Sequence, residues 1–121
     1  MILLIGSIYD VYNKMCTGED LKAMDALYHS PQWLTCVYEK CLGVPYLPCL
    51  GKCFHQIMDK KLTPTCLHCH DQVVSCGTTK CDVCLVPGDI TSAVLCSFCM
   101  YERCTKEILA CDAMQAPMLI F

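Results

Sequence analysis

Cys66-Leu67-His68-Cys69-His70 is the stretch best equipped for chemistry, and its C-x-x-C-H spacing suits three kinds of site. Two thioether bonds to a haem, with His70 as axial ligand, would make an electron-transfer centre. Thiolates from Cys66, Cys69, Cys81 and Cys84 are spaced to share one zinc ion. Alternatively, each cysteine forms a disulfide with another part of the chain.

The neighbouring residues favour the third chemistry. Zinc knuckles turn tightly after the second cysteine, and small residues suit that turn. Here Cys69, Cys84 and Cys99 are followed by His-Asp, Leu-Val and Met-Tyr. A four-thiolate site also leaves ten of the 14 cysteines without a role, and a haem leaves twelve. On a helix, cysteines at i and i+3 share a face but are badly placed to bond one another, so each reaches a different element. The expectation is that Cys16, Cys36, Cys41, Cys49, Cys53, Cys66, Cys69, Cys76, Cys81, Cys84, Cys96, Cys99, Cys104 and Cys111 are all disulfide-bonded, with no metal and no cofactor. The alternative metal set is Cys66, Cys69, Cys81 and Cys84. Sequence alone does not fix the connectivity.

His70-Asp71, lying in a cysteine-rich helical stretch, resembles the dyad of the secreted phospholipases. That family has adjacent cysteines before the dyad, a cysteine after it and a glycine-rich calcium loop. This chain has no Cys-Cys, carries Val73 at the position of the following cysteine, and offers only Cys41-Leu-Gly-Val-Pro and Cys49-Leu-Gly-Lys-Cys as loops. The activity therefore does not carry over, and the pair is expected on a solvated helix surface. No Gly-x-Ser-x-Gly elbow, phosphate-binding loop or His-Glu-x-x-His is present. An even cysteine count leaves no spare thiol as nucleophile, so the expectation is a protein that is not an enzyme.

The elements that would position these residues read as helices. Ile8, Val11, Tyr12 and Met15 recur at helical spacing. Thr17-Gly-Glu-Asp20 is a capping box ahead of Leu21, Met24 and Tyr28. Ser30-Pro31 starts a helix with Leu34, Val37, Tyr38 and Cys41 on one stripe, ending at Gly43. Residues 44–48 read as an extended connector because they contain two prolines. Leu50, Cys53, Phe54 and Ile57 form the next stripe. Thr63-Pro64 opens a helix bearing Cys66, Cys69, Val73 and Cys76, with Gly77 as its stop. A short element spans residues 80–86, Pro87-Gly88 turns the chain, and a last helix runs from about Thr91 through Cys96, Cys99, Met100, Cys104, Ile108 and Cys111. Period-two alternation is nearly absent. The fold expected is all-α: a small disulfide-rich helical bundle of five to six short helices, with residues 1–121 as a single disulfide-stapled domain.

Composition bounds the function. The 121 residues are 55% hydrophobic and 17% charged, below the roughly 25% usual for globular proteins, which argues for an ordered core. A net charge of −3 without a basic run disfavours nucleic acid. No segment approaches the roughly 18–20 apolar residues of a membrane span. So many cysteines imply an oxidising compartment, and hence an extracellular, secreted protein. The reading is a non-enzymatic, disulfide-stabilised binding protein of ligand, toxin, pheromone or effector type, acting on a protein partner or receptor. One alternative is a carrier of a lipid or other apolar ligand, suggested by the seven methionines. Another is a structural subunit that self-associates through its apolar ends. Contact candidates are Trp33, Tyr46, Met1, Ile2, Leu3, Leu4, Ile5, Met118, Leu119, Ile120 and Phe121.

Overall fold

A computed structural model describes residues 15–87 and 89–111. The expected helix around Ile8–Met15 and the two apolar ends, Met1–Ile5 and Met118–Phe121, lie outside these residues wholly or, for the helix, up to residue 14. Six α-helices are present among the described residues: α1 (Gly18–Tyr28), α2 (Pro31–Thr35), α3 (Tyr46–Met58), α4 (Pro64–Lys80), α5 (Ile90–Arg103) and α6 (Thr105–Cys111). A π-turn, Cys36–Lys40, extends α2, and a 3₁₀ turn, Asp82–Cys84, follows α4. The fold is all-α and disulfide-rich.

Helix starts follow from side chains that satisfy first-turn N–H groups. The Thr17 hydroxyl accepts from Asp20 N at 3.1 Å, while the Asp20 carboxylate accepts from Thr17 N at 2.9 Å, completing the capping box. Ser30 caps Trp33 N, Thr63 caps Cys66 N, and Asp89 caps Ser92 N.

Four elements differ from expectation. The π-turn inserts an i→i+5 bond, Cys41 N to Cys36 O at 2.9 Å, which shifts the facing of the helix. Trp33, Cys36, Val37 and Cys41 are buried, while Leu34 and Tyr38 face solvent. Residues 46–48 are helical rather than extended: Pro48 sits in the first turn of α3, where its missing N–H costs no intrahelical bond. Gly77 does not stop α4, because it is needed inside the helix. A Cβ there would lie 2.4 Å from Leu47 Cδ2 and 3.0 Å from Met100 Cε, so its absence lets α3 and α5 approach α4. Finally, the last helix breaks at Cys104, whose backbone (φ −116°, ψ 21°) separates α5 from α6.

Seven disulfides join all fourteen cysteines: Cys16–Cys66, Cys36–Cys53, Cys41–Cys49, Cys69–Cys111, Cys76–Cys104, Cys81–Cys99 and Cys84–Cys96. Their order along the chain is fully nested. Cys16–Cys66 encloses Cys36–Cys53, which encloses Cys41–Cys49. Cys69–Cys111 encloses Cys76–Cys104, then Cys81–Cys99, then Cys84–Cys96. The chain is thus two ladders in tandem, with rungs that never cross. Antiparallel helix pairs explain this: Cys69 and Cys76 on α4 are seven residues apart, as are their partners Cys111 and Cys104 in reverse order.

No rung links the two ladders. What joins them, beyond the continuous chain and polar contacts such as the backbone bond from Met15 N to Ala110 O at 3.1 Å, is chiefly apolar packing of α3 on α4. Phe54 lies over His70 with ring centroids 4.8 Å apart. Gly51 meets Val74, where an added Cβ would lie 2.7 Å from Val74 Cγ1. Tyr28, Trp33 and Phe54 continue the aromatic stack, edge to face at 5.5 and 6.3 Å. Leu47, Leu50, Met58, Met100 and Ile108 complete one core shared by both ladders.

Candidate functional site

The C-x-x-C-H stretch is where the ladders meet. Cys66 ends the first outer rung and Cys69 begins the second. The four-thiolate alternative is not assembled, because Cys66, Cys69, Cys81 and Cys84 are bonded to Cys16, Cys111, Cys99 and Cys96 respectively.

His70 is not on a solvated surface. It is 1% exposed, since it lies at i+4 from Cys66 on the stripe that α4 turns inward. Neither ring nitrogen has a hydrogen-bond partner among the described residues. Burial lowers its pKa to about 4, against the opposing pull of the Asp71 and Asp20 charges. Asp71 faces outward instead, where its Oδ1 pairs with His55 Nδ1 at 3.1 Å across the α3–α4 seam. That pair lines an open groove of about 470 Å³ with Gly51, Lys52, Gln56 and Val74. The lining includes no hydroxyl or thiol for a histidine to activate.

Asp20 is the residue that sequence reasoning undervalued. Read only as the last residue of a capping box, it is 2% exposed and bridges two helix starts. Its oxygens accept from Thr17 N at 2.9 Å, Thr63 N at 2.8 Å and the Thr63 hydroxyl at 2.7 Å. Burial works to raise its pKa, but the hydrogen bonds from Thr63 and Thr17 outweigh it and hold the carboxyl below its ordinary value.

Trp33 and Tyr46, expected as partner contacts, are each 3% exposed and belong to the core. Trp33 packs edge to face on Tyr28 and Phe54, and the early start of α3 carries Tyr46 inward. The apolar surface available for contact lies on α5. Ile90, Val94, Leu95 and Phe98 are exposed, Phe98 by 66%, and with Tyr101 they fall within roughly 140° of helix arc. No charged residue interrupts the run from Ile90 to Tyr101. The opposite arc, Ala93, Cys96, Ser97 and Met100, is buried. Leu85 and Val86 are exposed just before the helix, and a lone bridge between Pro45 and Pro87 brings the loop with exposed Val44 alongside.

No helix among the described residues is long and apolar enough to cross a membrane. Compared with family models, with curated proteins and with solved structures, the chain matches none.

Proposed function

We propose that this small disulfide-stabilised protein is a secreted, non-enzymatic binding module that contacts a protein partner through the outer face of α5. The observation that carries this reading is the uncharged stripe Ile90, Val94, Leu95 and Phe98, left exposed on a helix whose other face already fills the core. Contiguous exposed apolar surface marks interaction sites, and large aromatic side chains dominate their energetics. The disulfide ladders hold the helix rigid, which lowers the ordering cost of binding. Full oxidation of fourteen cysteines supports an extracellular setting.

The test places a photo-crosslinking residue at position 98 and, as a control, at position 52 in the α3–α4 groove, then exposes living cells to each oxidised protein. A discrete cell-surface adduct from position 98 alone, lost when Leu95→Glu is added, is the expected result. Adducts of equal yield from both positions refute the assignment. Because Leu95 is a surface residue, the substitution should shift stability by no more than about 0.5 kcal/mol, which urea melts will verify.

A further inference from the structure

Beside the first turn of α4, Cys16, Cys66 and His70 form a buried cluster whose two sulfurs and a ring nitrogen all lie within 4.8 Å of one another. Thiolate and imidazole are the commonest ligands of structural zinc sites. Cys66 and His70 stand at i and i+4 on one helix face, the spacing by which a helix presents two ligands to one ion. Cys16 approaches from the chain just ahead of α1. Because neither nitrogen of His70 is engaged by another described residue, ligation there breaks no existing hydrogen bond. In the oxidised protein the sulfurs are committed to each other.

We propose that reduction of the Cys16–Cys66 disulfide turns this corner into a zinc-type metal site, ligated by Cys16 Sγ, Cys66 Sγ and one ring nitrogen of His70. A dithiol is the reductant: its two sulfurs join as a disulfide, the Cys16–Cys66 bond breaks, and two protons and two electrons pass to the cysteines as thiols. A divalent ion then displaces both thiol protons to solvent. Two thiolates and a neutral imidazole around a doubly charged ion make an assembly of zero net charge, which a buried site tolerates. The fourth position is left for water or a ligand from solution.

Asp20 keeps the ligands together once the covalent bond is gone. Its carboxylate holds Thr17, next to Cys16, and Thr63, three residues before Cys66, by hydrogen bonds of 2.7–2.9 Å that reduction does not touch. The freed sulfurs need only separate to about 3.8 Å to share a tetrahedral ion. A similar cluster, Cys76, Cys104 and Glu107, offers a carboxylate in place of imidazole, a harder ligand less suited to zinc, and serves as an internal comparison.

The test uses the full-length oxidised protein, treated with limiting dithiol that is removed anaerobically before cobalt(II) or zinc is added. The expected result is the visible spectrum of tetrahedral, thiolate-bound cobalt, displaced by zinc. Alkylation mapped by mass spectrometry should show Cys16 and Cys66 reactive without metal and protected about tenfold or more with it. His70→Phe should generate the same two thiols yet lose about tenfold or more in cobalt affinity. Unchanged affinity in His70→Phe overturns the proposal. So does metal protection confined to Cys76 and Cys104, or a Cys16–Cys66 bond that opens only when every other disulfide has opened. The mapping of the unsubstituted protein decides the matter even if the variant fails to fold.

Discussion

Acid should weaken this protein in a window set by His70. In the unfolded chain the imidazole takes up a proton as pH falls through about 6.5. In the folded state burial keeps it neutral until about 4, despite the charges of Asp71 and Asp20. Between those values the unfolded state binds more protons, so stability declines as pH falls from 6.5 towards 4 and this contribution is flat below. A histidine gaining a carboxylate partner would behave in the opposite sense. The gap between the two values is worth about 3 kcal/mol. With a urea m-value of about 1–3 kcal/mol/M, the unfolding midpoint of the oxidised protein should fall by about 1–3 M across the window. His70→Phe, which keeps a ring against Phe54, should flatten that slope. An equal decline in the variant, or no decline in the parent between pH 6.5 and 4, would refute the account of His70 as a neutral group trapped in the seam.

Asp20 predicts a separate window. Its folded pKa is depressed, so its contribution is complete above the unfolded value of about 4 and is lost as pH falls through the lower folded value. Asp20→Asn should remove that lower-pH loss and cost about 2–4 kcal/mol at neutral pH, because an amide nitrogen cannot accept the bonds that the second carboxylate oxygen receives from Thr17 and Thr63; urea melts at neutral and acid pH will show both. Gly77→Ala should destabilise by about 1 kcal/mol despite alanine's better helix propensity, since Leu47 and Met100 are too well packed to yield; thermal melts of the oxidised variant check the sign. Replacing Cys16 and Cys66 by alanine opens a separation of 50 residues and should cost about 4 kcal/mol on a chain-entropy basis, whereas the Cys84–Cys96 pair, 12 residues apart, should cost about 3 kcal/mol. Paired denaturation curves will give the order.

Much of this was legible where local chemistry decides. Thr17, Ser30 and Thr63 announce their helices because a capping hydroxyl acts within three residues. The inward-facing cysteines on α4 follow from its 3.6-residue period, and the same period placed His70 on that stripe, a signal outweighed by the polarity of His-Asp. What sequence did not disclose depends on neighbours remote in the chain. Gly77 reads as a stop until Leu47 and Met100 are seen to occupy the space of its missing side chain. Trp33 reads as a contact until Tyr28 and Phe54 are seen packed against it, and Tyr46 until the early start of α3 buries it. The uncharged α5 stripe was visible as residues, but only the closed core on its other side makes it surface.

Nested rungs also dictate how the molecule would come apart if its backbone were cut. A single break anywhere between Cys16 and Cys66, or between Cys69 and Cys111, leaves the pieces tethered by at least one enclosing rung. Between Cys16 and Cys111, only at the three peptide bonds from Cys66 to Cys69 does no cystine span the break. A nick there would yield two polypeptides that migrate separately under denaturing, non-reducing conditions, while every other nick in that span would be invisible until a reductant was added. Between its outermost cysteines the chain has one point of covalent weakness, and it lies within the first turns of α4, where helix and core shield it from a protease.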